Sequence, residues 1–591
     1  MVSIEKIKEF ISNIKQPQII STFVIKDNNL YSIDIKTYLQ ASGRCSRITP
    51  NGVTYGVSLI FDDEIFLEPL SKNAYFNNFE ILAPNKLDIN KTKEKIDNSR
   101  KKNGEENDLD FKTYLMVVES PTKAKQIAQM FGNPGITRIG NIQAFESLSP
   151  IGIVIIVPSI GHVVELSIDN LDNTTKEENI FNVIIKKDKY HNQIKKIKTL
   201  YSPIKKCKNC NKTFSSISNK CPYCSSEDLI SSMENINTLK TLSFFVDGLI
   251  LATDPDSEGE KISFDILNLI KTNNYQRIIF NEITKKAIVN SLHNPIQIRN
   301  NLVEAQLVRR IEDRWIGFAL SKILQEKIED QNISAGRVQS PVLNWIIEKY
   351  KEYNNKKRFA IVEEFKIQFI DSDIKGEAEL EIKIIDQYTQ KLNILPFNTP
   401  DILMFANNIL KISSQETMRI LQKLFENGLI TYHRTDSYHI SDQGINIAKE
   451  IYSRKGWEFN YKNFPQTHAH EAIRITKPLE PEDIKIAYQD KISNTELRLY
   501  EMIYKKFLAC FTKENYIKIQ KYKFILKQGN KQNELEQERI IDTIGQAFQI
   551  LPYLAYKTTP LQEGKYKVKV KNIKKSTTML YSQSDIIKMM K

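Results

Sequence analysis

The apolar positions change period several times along the chain. YLMVVES (114–120), GLILATD (248–254) and RIIFNEI (277–283) are short apolar runs rich in Val, Ile and Leu, and each predicts a buried strand. Helical patterns follow each run, so this region predicts α/β alternation around a mostly parallel sheet. From about 302 the spacing lengthens to three and four, placing Val308, Ile311, Trp315 and Phe318 on one helix face. Residues 358–398 alternate, as in RFAIVEEFKIQF and AELEIKII, so strands return. A helix near 415–427 gathers Met418, Leu421, Leu424 and Phe425 on one side, and 515–573 is again strand-rich. At the start, residues 19–66 read as α/β, with VIK, YGVSLIF and EIFLEPL as short extended pieces. Residues 85–111 are polar and almost free of large apolar side chains, the pattern of a linker or a solvated helix. The fold class is therefore multidomain, α/β and α+β.

Composition narrows the picture. A chain of 591 residues with 41% hydrophobic content carries several domains with real cores. Its 84 basic against 71 acidic residues give a net charge of +13, which favours a polyanionic partner such as nucleic acid. The N-terminal MVSIEKIKEF has no apolar signal core. The longest apolar run, IGIVIIVPSI at 151–160, is too short to span a bilayer. The expectation is a cytoplasmic protein with no membrane partner. Six cysteines are few for this length, and four of them cluster, which points to metal and not to disulfides.

Several segments carry candidate chemistry. In VVESPTKAKQIA (117–128) a strand ends at Glu119, and Ser120–Pro121 is a good helix start. Lys123 and Lys125 in the opening turns suit a phosphate, against the alternative of a solvated turn. In LATDPDSEGEKI (251–262) a strand empties into Asp254, Asp256 and Glu258, which repel one another unless a cation intervenes; Mg²⁺ fits, against an acidic turn or a calcium loop. Cys207, Cys210, Cys221 and Cys224 form two C-x2-C pairs ten residues apart, the pattern of a closed, structural zinc site, with a redox role as the alternative. Gly336 and Arg337 precede a Ser340–Pro341 helix start. QTHAHEAIRIT (466–476) offers His468 and His470, with Arg474 on the same side of a helix as His470. YLQASGRCSR (38–47) is a basic loop with Gln40, Arg44 and Arg47, and the chain has no G-x-x-x-x-G-K-[ST] nucleotide loop.

VVESPTKAK, ATDPDSEGE, FNEITKKAI, SAGRVQS, ITYHRTDS and HEAIR occur in the order found in type IA DNA topoisomerases, and from about 114 onward the chain resembles that family. The resemblance implies a Toprim domain over 111–290 with a zinc insertion at about 200–230, followed by toroidal topoisomerase domains around a hole for DNA. It divides the remainder into a helical domain (291–350), the first part of a β-rich gate (351–400), a domain with the nucleophilic tyrosine (401–480), and a return helix with the rest of the gate (481–575). The inserted zinc module looks like that of reverse gyrase, an enzyme associated with hyperthermophiles. QASGRCSR is similar to the last motif of its superfamily 2 helicase module, so 1–84 reads as a fragment of a RecA-like helicase domain, joined by a linker at 85–110. LYSQSDIIKMMK, in 576–591, resembles the start of a helical segment that the family continues into a GIGRPSTY-like stretch. The implied protein is the topoisomerase subunit of a split reverse gyrase, with a second polypeptide supplying the P-loop and the remaining C-terminal segment; a truncated chain, a stand-alone relaxing topoisomerase and a Toprim nuclease are the alternatives.

The chemistry of GLITYHRTDS (428–437) fits that resemblance. Gly428 is able to end the preceding helix in left-handed geometry. A free phenol has a pKa of about 10 and is a poor nucleophile at neutral pH. Arg434, two residues after Tyr432, projects to the same side of an extended strand and would stabilise phenolate and grip a phosphate, with Asp436 orienting it. By the resemblance, Tyr432 becomes linked to a 5′ phosphate, Lys123 protonates the leaving 3′ oxygen, and Glu119 assists. Asp254, Asp256 and Glu258 hold Mg²⁺, while Arg337, His470 and Arg474 contact DNA. ATP enters only through a helicase partner, with Gln40, Arg44 and Arg47 completing the nucleotide site.

Overall fold

The computed structural model describes residues 8–590 apart from 9, 15, 21, 50–51, 78, 101–111, 170–177, 188–193, 331, 465–469 and 489–490. The chain forms two compact units. One comprises Met1–Gly336, Leu424–Leu429 and Glu482–Ile492; the other Arg337–Lys423, Ile430–Pro481 and Ser493–Lys591.

The first unit is built on a six-stranded sheet in the order Tyr275–Arg277, Gly248–Leu251, Thr113–Val118, Gly152–Pro158, Ile142–Ser149, Gly135–Ile139. The first four strands are parallel and the last two are added antiparallel. Thr113–Val118 is central and ends in four consecutive buried residues, as a strand covered on both faces must. Ile142–Ser149 lies nearer the edge and shows more alternation between buried and exposed. Leu115, Val117, Leu249 and Leu251 pack with Ile262 and Ile266 of the helix Ser257–Ile270 to form the core. The run RIIFNEI does not form a strand over its length. Pairing stops at Leu251↔Arg277, because the neighbouring strand ends there and offers no further partner. Ile278, Phe280 and Ile283 are buried instead in an irregular segment before the helix Lys285–His293.

Between Gly152–Pro158 and Gly248–Leu251 the chain builds a second sheet from Val164–Leu166, Tyr201–Cys207 and Thr213–Ser215, with Leu229–Ser231 also pairing on Tyr201–Cys207. The 29-residue helix Asn300–Ile328 departs from the core stripe its spacing suggests. Val303 is its buried residue, while Val308 is 54% and Phe318 43% exposed. That face meets the thin hairpin of Glu178–Ile180 and Val183–Lys187, part of a three-stranded sheet: Trp315 Nε1 donates to Ile180 O at 3.1 Å, and Phe318 meets Phe181 edge-on.

Near the N-terminus, Gln18–Ile20, Phe23–Lys26 and Asn29–Ser32 form an antiparallel meander, turned at Asp27–Asn28 with φ of 51° and 59°. EIFLEPL is helical, not extended, within Glu64–Phe76. Asp63 stands at its N-cap and Glu64 in its first turn, where the helix dipole favours acidic groups. Leu70 and Ala74, four apart, then pack with Ile35. Among the described residues of 1–84 every strand pair is antiparallel, so the parallel sheet of a RecA-like domain is not seen. Within 85–110, Ile89–Arg100 is a helix with no buried residue, and 101–110 lies outside the described residues.

The second unit holds a six-stranded antiparallel sheet in the order Ile367–Ile370, Lys356–Val362, Gly564–Ser576, Gly376–Leu392, Asn515–Gln528, Lys531–Ile544. Val362, Phe369, Leu380, Phe524 and Val568 form its core. One sheet is thus made from two stretches of chain. The helices Thr399–Phe405, Asp442–Arg454 and Asn494–Ala509 lie in the intervening sequence, the last opened by a Ser493–Glu496 capping box. Gln339–Asn354 precedes the first strand, and Gln583–Met589 follows the last.

Candidate active-site residues and metal centre

In the first unit, two parallel strands deliver the candidate chemistry to their carboxyl ends. Ser120 caps the helix Pro121–Gln129, its side chain accepting from Lys123 N at 3.2 Å, with Pro121 at the first position. Lys123 is fully buried and its ammonium donates to Asp254 Oδ1. Asp254 N donates to Glu119 Oε1 at 3.0 Å, closing a three-residue junction. Burial and the charge of Asp254 push Glu119 up to about 8. Burial alone would lower Lys123, but the carboxylates of Asp254 and Glu119 hold its ammonium above the ordinary value. Phe425, at the end of the helix Ser414–Glu426, sits 5.6 Å from the Lys123 ammonium.

The other two acidic residues face different partners. Asp256 caps Ser257–Ile270, its Oδ1 accepting from Gly259 N at 2.8 Å. Glu258 Oε1 lies 3.2 Å from His162 Nε2, and Arg310 Nη2 approaches the same ring nitrogen at 2.8 Å. The protein's own groups therefore answer part of the repulsion among these carboxylates. Their oxygens are not gathered within 4.8 Å of one another: among the described residues, only the four cysteines form such a group. As hard oxygen donors, Asp254, Asp256 and Glu258 would suit a divalent cation if their present partners yielded. His162, in SIGHVVEL, is missing from the sequence reading; a Gly-His pair directly after a buried strand was the available signal.

Cys207, Cys210, Cys221 and Cys224 come together in the second sheet, with Sγ–Sγ separations of 3.6 Å for Cys207–Cys224 and for Cys210–Cys221. Four sulfurs at about 2.3 Å from one ion stand about 3.8 Å apart, so the cluster fits tetrahedral zinc. The backbone N–H of Cys210 draws the Cys207 thiol down to about 6, while, against the Lys212 N–H, burial and the neighbouring thiols push that of Cys210 up to about 11, so it would take a cation to make all four thiolates.

From Ile430 onward the tyrosine segment lies in the second unit, while Gly428 just before it belongs to the first. Gly428, which ends the preceding helix, has φ of +65°, and a Cβ there would stand 2.5 Å from Ile283 O. Ile430 and Thr431 then pair with the HEAIR segment: Ile430 bridges Ile475, and Thr431 N donates to Arg474 O at 2.9 Å. Tyr432 is buried, its ring 5.5 Å from that of His433 and 6.4 Å from that of His470. Arg434 and Asp436 are exposed. The extended strand expected to align Tyr432 with Arg434 is absent: the chain bends at His433–Arg434, and Thr435 is held by reciprocal bonds with Thr399.

HEAIRIT is likewise not helical. Arg474, read as a DNA contact, is fully buried. Nε donates to Glu471 at 2.7 Å, Nη2 to Ser441 Oγ at 3.0 Å and Nη1 to Ile475 O at 3.0 Å. Gly444 leaves room for this guanidinium, since a Cβ there would meet Arg474 Nε at 2.6 Å. His470 is partly buried, and His468 lies outside the described residues. Arg337 is exposed just before the helix Gln339–Asn354. Gln40, Arg44 and Arg47 are exposed around a helical turn at Gly43–Cys45, where Arg47 Nη1 donates to Arg44 O at 2.8 Å. No helix among the described residues is long and apolar enough to cross a membrane.

Comparison with known proteins places these segments. Residues 114–283 match the Toprim domain family, and 297–369 with 353–591 match the DNA topoisomerase family. Reverse gyrase 1 of Sulfurisphaera tokodaii is 36% identical over 96% of this chain and 50% of its own length. Reverse gyrase of Pyrococcus furiosus is 35% identical over 94% of this chain and 47% of its own. The chain thus spans about half the length of these relatives. Full-length topoisomerase I from Thermotoga maritima, 23% identical, shares the fold with a TM-score of 0.53 over 80% of this chain and 74% of that one. The chain belongs to the type IA DNA topoisomerases, carries their Toprim domain, and is homologous to the topoisomerase half of reverse gyrases.

Proposed function

We propose that the chain cuts and rejoins one DNA strand through a covalent phosphotyrosine at Tyr432. What supports the reading is that Glu119, Lys123 and the acidic loop fall inside the Toprim match, while ITYHRTDS and HEAIR fall inside the topoisomerase match. The phenol of Tyr432 releases its proton to solvent, the phenolate oxygen attacks phosphorus, the bond to the 3′ oxygen breaks, and the 5′ phosphate stays on the enzyme. Lys123, kept protonated by Asp254 and Glu119, gives its proton to the departing 3′ oxygen and takes it back on rejoining. Arg434 supplies the guanidinium for the phosphate, with Asp436 as its orienting carboxylate, and Arg337 and His470 hold the DNA backbone. Asp254, Asp256 and Glu258 would hold Mg²⁺, which would supply positive charge for the phosphate and the free 3′ end. The four cysteines would hold zinc in a closed, structural site. The exchange of one phosphate ester for another keeps the bond energy, so no nucleotide is consumed.

The chain further serves as the topoisomerase part of a reverse gyrase. Most of residues 1–84 fall within an alignment that takes in 96% of the chain, so most of that segment too has a counterpart in a reverse gyrase. Gln40, Arg44 and Arg47 then complete an ATP site on a partner that carries the P-loop. The test is to replace Tyr432 with Phe. The denaturant-resistant protein–DNA adduct should disappear while binding to single-stranded DNA persists. An adduct that survives the change refutes the assignment, and the absence of any adduct with the native chain returns the Toprim nuclease to contention.

A further inference from the structure

The acidic loop rests on two guanidiniums that its sequence neighbourhood does not announce. Arg277, the last residue of the edge strand Tyr275–Arg277, is fully buried. Its Nη1 donates to Leu251 O at 3.2 Å, Thr253 O at 2.9 Å and Ile278 O at 2.8 Å, and its Nη2 to Asp254 O at 2.8 Å. Arg299, at the start of Asn300–Ile328, donates from Nη2 to Pro255 O at 2.9 Å. Fully buried Glu260 joins the two: its Oε1 accepts from Arg277 Nε at 3.3 Å, Arg299 Nε at 3.1 Å and Arg299 Nη2 at 2.9 Å, and its Oε2 from Arg299 N at 3.2 Å. The carbonyls of Thr253, Asp254 and Pro255 are thus three consecutive acceptors, all facing guanidinium donors. Buried carbonyls beyond a strand end need partners, and each left without one would cost the loop stability.

We propose that Arg277, Arg299 and Glu260 are positioning residues that fix the backbone path of the Asp254–Glu258 loop, and so set the affinity of its carboxylates for a divalent cation. The inference rests on the reading of that loop as the cation site. Two features favour a geometric role over a merely electrostatic one. The guanidiniums bind main-chain oxygens and not the candidate ligand carboxylates. And a positive charge beneath three carboxylates would, by Coulomb's law alone, weaken cation binding. Removing Arg299 therefore separates the two effects by sign.

The experiment measures Mn²⁺ binding to the full, zinc-loaded chain by electron paramagnetic resonance, alongside metal-free binding of single-stranded DNA. Arg299→Ala should weaken Mn²⁺ binding about tenfold, the low end for loss of an outer-shell partner, and leave metal-free DNA binding unchanged. Arg299→Lys keeps the charge but loses the fork that bridges Pro255 O and Glu260, and should stay weak. Arg314→Ala is the control for general loosening. Arg314 lies on the helix Asn300–Ile328, its guanidinium donates to Leu166 O and Ser167 O and not to the carbonyls of the acidic loop, and its loss should leave Mn²⁺ affinity as it is. Unchanged or tighter Mn²⁺ binding in Arg299→Ala, full recovery in Arg299→Lys, or equal weakening in Arg314→Ala overturns the positioning role. A native chain that binds no Mn²⁺ overturns the underlying cation site instead.

Discussion

Gly428 and Lys506 show how much rests on single positions. At Gly428 a side chain meets two obstacles, a φ of +65° and the Ile283 carbonyl 2.5 Å from where Cβ would lie. Gly428→Ala should lower stability by about 1–3 kcal/mol, seen as a fall in melting temperature. Asn tolerates the backbone angle but not the missing space, so Gly428→Asn should not restore it. Lys506 is buried with its ammonium 5.5 Å from the Phe397 ring and 5.3 Å from that of Phe405. Burial holds its pKa below the ordinary lysine value. The rings return on the order of 2 kcal/mol, less than the several that desolvating an ammonium costs. With the folded pKa depressed, the penalty is full below that pKa and is relieved as pH rises toward about 10.4. Lys506→Met should raise the melting temperature at pH 7 and remove the gain in stability toward alkaline pH; a lower melting temperature would show that the ammonium is worth more than its desolvation costs.

At the scale of elements, the cysteine cluster does the work of a core. The sheet around Tyr201–Cys207 gathers few large apolar side chains, with Phe214 and Leu229 beside the four cysteines. Such a module depends on its metal. A chelator strong enough to strip zinc should open the 201–231 region to protease while the parallel sheet stays protected, with about one zinc released per chain by elemental analysis; an unchanged cleavage pattern would mean the thiols suffice alone. Which elements are legible in sequence follows from how local their causes are. The Ser120 cap and the Gly428 stop are set within four residues, and both are readable. Thr113–Val118 and Gly248–Leu251 announce themselves because burial on both faces demands unbroken apolar runs. The helix at Glu64 is hidden in a run that alternates poorly either way. The stripe on Asn300–Ile328 is real as a pattern, but spacing does not say whether its partner is a core or a thin hairpin. Within the candidate site, Glu119 with Lys123 and, far along the chain, Asp254 read as two separate corners. Their meeting depends on the parallel register Gly248↔Tyr114, which no local pattern encodes. Arg277 and Glu260 look like ordinary surface charges for the same reason, and the bend after Tyr432 depends on Thr399, 36 residues away from Thr435.

For the whole molecule, the relatives at about half coverage frame the remaining expectation. The chain alone should relax negatively supercoiled DNA, show no appreciable ATP hydrolysis, and introduce no positive supercoils until a polypeptide with a P-loop is added. Two-dimensional gels of topoisomers with and without that partner would decide it, and efficient ATP turnover by the isolated chain would contradict the division of labour. The strand order has its own consequence, on the timescale of synthesis. The central strand needs a neighbour that lies 134 residues downstream, as the bond from Thr113 N to Asp247 records. At about 5–20 residues per second, a ribosome takes roughly 7–27 s to deliver it. Through that interval one side of this central strand, with its four consecutive buried residues, stands open while the cysteine-rich insert is being made. The nascent chain is then most exposed to sticking, and whatever shelters it there governs the yield of active protein.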